Sequence, residues 1–314
     1  MDVLRRRTIA VAALLSACVP DVDVDESRLD APRLLAVRAE PAEAAPGETV
    51  RFVALYAGAS GALDEAPLEW AFCVARKPLA ELGPVASECL VPGSEALVPI
   101  GAGPEASGAI PRDACRLFGP EPPPALPGEP VGRPVDPDVT GGYVQPVGVF
   151  VRDGENVRPA LFETRIACGL FGATQAQSAE FTQRYRRNAP PSIEALELVR
   201  ADGRIVALDG EPAEVAAGEL VALRVRWPAC PEEDACGDGL CGVDETRSSC
   251  AEDCAAPAGC GGAERFLRFD LASRSLVVER ESIRVAWYAS AGELAFERTG
   301  VGADEAVTFS ENEL

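Results

Sequence analysis

The chain has 314 residues, and its 50 acidic side chains against 29 Lys and Arg give a formal net charge of −21. A surface this acidic repels nucleic acid, so we expect no nucleic-acid partner. The sequence contains no histidine, which removes Ser-His-Asp and Cys-His catalysis. We therefore predict a protein that is not an enzyme, with a two-carboxylate glycosidase as the enzymatic alternative that needs no histidine.

The first 18 residues have the layout of an export signal. Three arginines at 5–7 precede an apolar run at 8–15, and the small residues Ser16 and Ala17 stand directly before Cys18. The run is too short to cross a bilayer, which needs about 20 residues. It matches the apolar region of a secretory signal.

Small residues directly before a cysteine resemble the lipobox of bacterial lipoproteins. The resemblance implies that residues 1–17 are removed as a signal peptide and that Cys18 receives acyl chains such as palmitate, which anchor the chain to the membrane. Val19 follows instead of the Asp that favours inner-membrane retention in that family, so outer-membrane attachment within the cell envelope is preferred. The alternative is an ordinary signal peptide that happens to end at a cysteine. Residues 18–31 are acidic and predict a tether.

The cysteine count agrees with lipidation of Cys18. Of eleven cysteines, ten remain for disulfides, which exported proteins favour. They divide into two even sets that we expect to close separately: Cys73, Cys89, Cys115 and Cys168, and then Cys230, Cys236, Cys241, Cys250, Cys254 and Cys260.

An internal repeat predicts two similar domains. Glu-Pro-Ala-Glu at 40–43 and Gly-Glu-Thr-Val at 47–50 recur without a gap as Glu-Pro-Ala-Glu at 211–214 and Gly-Glu-Leu-Val at 218–221. Each copy leads into an alternating segment typical of a half-buried strand. Further strands are predicted at 33–39, 68–74, 143–151, 161–167 and 179–185.

Short strands between Pro- and Gly-rich turns favour β-sandwiches, and the order of strand, Gly-Glu turn and Trp-bearing strand resembles bacterial immunoglobulin-like domains. The resemblance implies an all-β chain of two tandem sandwiches over 32–188 and 189–314, joined by a hinge at 188–191. A Pro-rich loop at 119–140 belongs to the first sandwich. On the strand at 68–74, Trp70 and Phe72 face one side and Cys73 the other, so Cys73 is expected to bridge to a covering loop through Cys89 or Cys115.

The second sandwich differs from the first in two ways. If Trp287 corresponds to Trp70, it carries an insertion, predicted over 228–264, that holds the six-cysteine set. Only a short segment follows Trp287, so this sandwich is predicted to lack its last strands. One interpretation is a smaller closed fold; the other is an unpaired strand edge that a protein partner completes.

The insertion contains Cys236-Gly-Asp-Gly-Leu-Cys241 and Cys250-Ala-Glu-Asp-Cys254, which resemble short disulfide-rich repeats of secreted bacterial proteins. Such segments replace a core with crosslinks. No cofactor is required, but calcium is an alternative, with candidate ligands Asp238, Asp244, Glu245, Glu252 and Asp253. Zinc is disfavoured because the cysteine spacings lack paired C-x2-C.

Together these patterns predict a membrane-anchored extracytoplasmic lipoprotein with a binding or structural display role. The main alternative is a carbohydrate-binding or adhesive accessory component.

Overall fold

The computed structural model describes residues 26–77, 81–124, 127–128, 132–210, 213–255 and 259–314. The predicted signal peptide, Cys18 and residues 18–25 of the predicted tether lie outside these ranges. Strands predominate in the described part, which confirms the all-β prediction. No helix in these ranges is long and apolar enough to cross a membrane.

The first domain consists of two sheets. Its strands are β1 (Arg33–Glu40), β2 (Glu43–Ala44), β3 (Thr49–Gly58), β4 (Gly61–Ala62), β5 (Leu68–Cys73), β6 (Leu97–Ala102), β7 (Glu105–Ala109), β8 (Tyr143–Asp153) and β9 (Asn156–Ile166). One sheet has the order β1-β3-β4, with β7 also paired to β3, and the other has the order β2-β9-β8-β5-β6. A short helix, α1 (Ala114–Phe118), precedes the predicted Pro-rich loop, whose described residues contain neither helix nor strand.

The core of this domain lies between the two sheets, and three of its aromatic rings pack on one another at its centre. Phe52 of β3 stacks on Trp70 of β5 with 6.1 Å between ring centroids and meets Phe72 edge-on at 5.9 Å. All three side chains are at most 1% exposed. The Trp70 indole N–H donates to the Gly103 carbonyl at 2.8 Å, which satisfies the polar atom that burial removes from water.

Every cysteine in the described residues forms a disulfide, and the two predicted sets close separately. The pairs are Cys73–Cys89, Cys115–Cys168, Cys230–Cys260, Cys236–Cys250 and Cys241–Cys254. Cys73 lies in a buried cluster apart from the one that holds Trp70 and Phe72, as the alternation on β5 predicts. Its partner Cys89 sits on a 3-10 helix, Ser87–Leu90, in a loop that covers this face.

The predicted strand at 179–185 is wrong, because this segment belongs to helix α2 (Gln175–Arg184). The helix starts with a capping box, in which the Gln177 N–H donates to Thr174 Oγ1 at 3.2 Å and the Thr174 N–H donates to Gln177 Oε1 at 2.9 Å. Ala and Gln within the segment also favour a helix over a strand.

The second domain contains a four-stranded sheet and a two-stranded hairpin. The sheet has the order β11-β10-β12-β17, formed by β10 (Ala195–Arg200), β11 (Ile205–Ala207), β12 (Val221–Arg226) and β17 (Phe309–Glu313). The hairpin pairs β15 (Ile283–Ala286) with β16 (Arg298–Val301). A small core of Val225, Trp227 and Trp287 joins them. The hairpin therefore packs on the four-stranded sheet through this core.

The sequence repeat corresponds to the same local turn in both domains. Glu48 accepts the Ala45 N–H through its side chain at 2.9 Å, and Glu219 accepts the Ala216 N–H at 3.0 Å. The glycine before each glutamate has positive φ, 88° at Gly47 and 80° in its counterpart, a conformation that favours glycine. Each turn leads into the central strand of its sheet.

The insertion in the second domain is longer than the predicted 228–264. Between β12 and β15 the chain forms a short helix, α3 (Ala251–Cys254), and then a hairpin of β13 (Arg265–Asp270) and β14 (Ser275–Arg280) that pairs with no other strand among the described residues. Leu267 and Phe269 are buried on β13, at 2% and 4% exposure. Their spacing is that of a strand with one buried face.

The predicted tether over 18–31 extends too far, because its last residues pack against the second domain. The Leu29 N–H donates to the Ala289 carbonyl at 2.9 Å, and the Ala289 N–H donates to the Ser27 carbonyl at 2.9 Å. Arg28 and Ala289 form a parallel bridge. Leu29 is only 7% exposed, so apolar burial adds to these backbone hydrogen bonds.

We expect Phe52→Ala to lower the free energy of unfolding of the first domain by about 3–5 kcal/mol, because it removes the ring that contacts both Trp70 and Phe72. Urea unfolding followed by tryptophan fluorescence measures the change. Leu55→Ala is the matched control, since Leu55 is on the same strand but 45% exposed, and its effect should stay within about 0.5 kcal/mol. Equal effects of the two substitutions would contradict the core described here.

Candidate functional site: the interdomain joint

The segment Arg184–Asn188 joins the first domain to the insertion of the second. Helix α2 ends at Arg184, and Tyr185 has an extended backbone with φ −65° and ψ 133°. Successive side chains of an extended chain point to opposite sides. Tyr185 and Arg187 accordingly contact the first domain, whereas Arg184 and Arg186 contact the insertion. We call this segment the interdomain joint.

On the side of the first domain, the joint binds a buried carboxylate. Glu43 of β2 is 1% exposed. The Tyr185 hydroxyl donates to both of its oxygens, at 2.7 and 2.6 Å, and the Asn188 N–H donates at 3.1 Å. Arg165 Nε lies 3.7 Å from the same carboxylate. A buried carboxylate is stable only with such hydrogen-bond and charge partners. The joint therefore supplies hydrogen bonds that replace the hydration Glu43 loses on burial.

The ionisation of groups at this contact follows from their surroundings. Burial, followed by the charge of Glu43, raises the pKa of Tyr185 above its usual range, so its hydroxyl remains a donor. Nearby, Arg187 forms a bidentate salt bridge with the Glu48 carboxylate, with N–O distances of 2.6 and 3.2 Å. The hydrogen bond from Arg187 lowers the pKa of Glu48, which keeps this exposed pair ionised.

On the side of the insertion, Arg186 reaches a disulfide. Its Nε–H points to Cys241 Sγ at 2.7 Å, and its Nη2 lies 3.5 Å from Cys254 Sγ. Nη2 also donates to the Glu245 carbonyl at 2.6 Å, and Nη1 donates to the backbone carbonyls of Gln183 and Tyr185. The guanidinium is thus surrounded by acceptors, although burial lowers the pKa of Arg186. Neighbouring Arg184 donates to the Val243 carbonyl at 3.0 Å.

The Cys-Gly-Asp-Gly motif forms a tight turn around Asp253 of α3. The N–H groups of Gly237 and Gly239 donate to the two carboxylate oxygens of Asp253, at 2.6 and 3.2 Å. Both glycines have positive φ, 97° and 85°, which explains why the motif needs them. Two disulfides tie this turn to α3, and Cys230–Cys260 closes the base of the insertion.

The five candidate calcium ligands do not form one site. Glu245 and Asp253 approach each other, with one atom of each lying within 4.8 Å of the sulfurs of Cys236 and Cys250. Asp244 instead binds Arg184 and Arg265, each at 3.0 Å, Asp238 accepts the N–H of Leu240 within its own turn, and Glu252 lies 3.5 Å from Cys236 Sγ.

Two converging carboxylates fall short of the six to eight oxygens that calcium takes. The sulfurs beside them are disulfide-bonded and offer no thiolate to zinc. The positively charged guanidinium of Arg186 interacts electrostatically with the Glu245 carboxylate.

A pocket of about 770 Å³ lies between the joint and the insertion. Residues with charged or aromatic side chains that line it are Tyr185, Arg186, Arg187, Asp234, Asp238, Arg247, Glu264 and Arg265. Tyr185, the only aromatic among them, has its ring stacked on Phe181 at 4.5 Å and its hydroxyl on Glu43. One face of the aromatic ring found among the described lining residues is therefore covered by Phe181.

The carboxylates of the pocket have structural partners. Asp234 lies 3.5 Å from Arg265 and accepts the N–H of Asp244 at 2.7 Å. Glu264 accepts the Gly261 N–H at 3.2 Å, and burial raises its pKa. Next to it, burial and the charge of Glu264 raise the pKa of Glu281 to about 7. Asp234 and Glu264 hold an arginine and two turns in place, whereas Glu281, beside the pocket, has a pKa near neutral.

A scan against protein-family models and searches of curated proteins and of solved structures found no match to this chain.

The joint itself was missed by the sequence patterns. Its signals are the Thr174-x-x-Gln177 capping box and the run Arg-Tyr-Arg-Arg at 184–187, which is basic within a strongly acidic chain. The six disulfide cysteines of the insertion were identified, but their contact with the joint depends on tertiary packing that no local motif encodes.

We expect Arg186→Ala to loosen the insertion, because it leaves the carbonyls around the guanidinium without donors. Limited proteolysis under non-reducing conditions should cleave between 228 and 264 at least about tenfold faster, as expected for a loss of roughly 1.4 kcal/mol. Arg204→Ala, an exposed arginine of the second domain, is the control and should leave the rate unchanged. An unchanged rate in Arg186→Ala would show that the joint does not hold the insertion.

We expect thermal stability to fall as pH rises from 5 to 8. The pKa of Glu281 is about 7 in the folded chain, above its ordinary value of 4.5, so the folded state binds the extra proton and is favoured between these values. The melting temperature should be higher at pH 5.5 than at pH 8 by roughly 2–4 °C, which corresponds to about 1 kcal/mol. Glu281→Gln should reduce this difference, whereas Glu313→Gln, an exposed site, should not; scanning calorimetry at the two pH values decides.

Proposed function

We propose that this chain is an exported lipoprotein, anchored in the membrane through Cys18, that acts as a non-catalytic arm for binding or structural display. The observation that carries the proposal is the interdomain joint, which holds the first domain and the disulfide-rich insertion by two sets of contacts on opposite sides of one segment. Such a joint limits relative motion, as a rigid arm requires.

The location follows from the cysteines. Five disulfides favour an extracytoplasmic compartment. Because they use every cysteine after Cys18, that residue is the one cysteine of the chain left for lipidation, in agreement with the lipobox-like sequence before it. Attachment to the outer membrane is favoured by Val19, which stands where Asp would favour the inner membrane.

Both domains are proposed to be immunoglobulin-like sandwiches, complete in the first and reduced in the second. Support comes from the facing sheets of the first domain and from the turn that both domains share. In the second domain, β15 pairs on one side only among the described strands. A free strand edge of this kind can bind a partner strand.

We expect cells grown with labelled palmitate to incorporate the label into this protein, and Cys18→Ser to abolish it, since the thiol is the acylation site in the proposed anchor. Immunoblots of separated inner and outer membranes should place the wild-type chain in the outer membrane. Cys236→Ser, which also removes one cysteine, controls for that loss and should retain the label. Label in Cys18→Ser, or none in the wild type, would contradict the proposal.

A further inference from the structure

The disulfide between Cys241 and Cys254 lies beside positive charge. The Arg186 Nε–H donates to Cys241 Sγ at 2.7 Å, and its Nη2 lies 3.5 Å from Cys254 Sγ. Arg247, whose charge acts on Arg186, donates through Nε to the Cys254 carbonyl at 3.1 Å. A negative charge that forms on either sulfur would therefore be stabilised, because a nearby guanidinium favours the thiolate over the thiol.

The neighbouring disulfide, Cys236–Cys250, has the opposite surroundings. Cys236 Sγ lies 3.5 Å from Glu252 Oε1, and Cys250 Sγ lies 3.2 Å from Asp253 Oδ2. A carboxylate oxygen of Glu245 is within 4.8 Å of both sulfurs. A thiolate here would be repelled by these carboxylates. Cys236 is nevertheless exposed, so solvent exposure and local charge favour reduction of different disulfides.

We propose that Cys241–Cys254 is a redox-sensitive site, the disulfide of the insertion that a small thiol opens first. Both cysteines line the pocket of about 770 Å³ between the joint and the insertion, which gives a small molecule a route to sulfurs that are otherwise buried. Cys230 and Cys260 line the same pocket. Cys260 Sγ, however, accepts the backbone N–H of Gly262 at 3.4 Å, and no arginine in the described ranges donates to this disulfide. The guanidinium of Arg186, rather than access alone, therefore distinguishes the two pocket disulfides.

The exchange requires two molecules of a thiol, RSH, each of which gives its proton to solvent and reacts as RS⁻. The first attacks Cys254 Sγ and forms a mixed disulfide, while the bond to Cys241 breaks and its electron pair stays on Cys241 Sγ as a thiolate beside Arg186. The second attacks the sulfur of the bound RS group, and Cys254 leaves and takes a proton from solvent. Two thiols are thereby oxidised to RSSR, and the protein disulfide gains two electrons.

Opening this bond releases the end of α3 without opening the whole insertion. Cys236–Cys250 still ties the glycine-rich turn to the start of α3, and Cys230–Cys260 still closes the base. The contact between Arg186 and Cys241 changes from a hydrogen bond to a neutral sulfur into an ion pair, which is stronger. Reduction thus frees α3 while the joint keeps its hold on the turn. This consequence for the arm rests on the proposed function, whereas the order of reduction does not.

Reduction of the full chain by glutathione, with the products trapped by acid, alkylated and mapped by mass spectrometry, tests the order. Cys241–Cys254 should open at least about tenfold faster than either of the other two disulfides of the insertion. Arg186→Lys, which keeps the charge, should preserve this preference, and Arg186→Gln should remove it. Arg204→Ala, an exposed arginine, should change nothing. Equal rates in the wild type, or an exposed disulfide that opens first, would overturn the proposal.

A single-thiol variant tests the electrostatic cause separately from any loosening of the insertion. Cys254→Ser leaves Cys241 as a free thiol, and the pH at which iodoacetamide alkylates it at half its maximal rate should lie at least about one unit below the ordinary value of about 8.5. Adding Arg186→Gln should return the midpoint to about 8.5. Cys250→Ser is the matched control, since it leaves Cys236 beside Glu252, and its midpoint should lie above the ordinary value. A midpoint for Cys241 at or above that of Cys236 would contradict the role of Arg186.

Discussion

The Glu43 carboxylate is the interaction on which the arrangement of the two domains depends. It is buried under the edge of the first domain, and removing an ion from water costs several kcal/mol unless partners replace the lost hydration. Two of its hydrogen-bond donors, the Tyr185 hydroxyl and the Asn188 N–H, come from the joint. The Glu43 carboxylate therefore has all of these donors only when the joint is in place, and the same placement fixes the direction in which Arg184 and Arg186 project.

The insertion contacts the two arginines that project in that direction. Its own apolar core is small, so disulfides hold its turns, and its acidic residues would repel one another without cations. Arg184, Arg186 and Arg265 supply the positive charge. A metal ion bound within the insertion could also neutralise its acidic side chains, but it would not attach the insertion to the rest of the protein. Arginines from the joint and from β13 neutralise it and at the same time attach it to the rest of the protein.

Much of the fold could be predicted from local patterns. Alternation located β3, β5 and β12, and cysteine parity separated the disulfides into their two sets. The strand predicted at 179–185 is wrong because the segment belongs to helix α2, whose capping box at Thr174 and Gln177 specifies a helix. The candidate calcium ligands were a plausible set by composition, but Asp244 and Asp253 are committed to an arginine and to two glycine N–H groups, respectively. Such commitments arise from residues distant in sequence, so no local pattern reveals them.

The repeated turn makes different contacts in the two domains. In both, a glutamate closes the turn before the central strand, and in both an arginine binds its carboxylate. In the second domain that arginine, Arg200, comes from the neighbouring strand of the same sheet, so the contact stays within the domain. In the first domain it is Arg187, which belongs to the joint. The turn thus forms a salt bridge within the second domain, whereas in the first domain the same turn forms a salt bridge to the joint. A contact that restricts the relative motion of the two domains before binding reduces the entropy lost on binding. The Arg187–Glu48 contact therefore agrees with the proposed arm, which would present its second domain in one orientation.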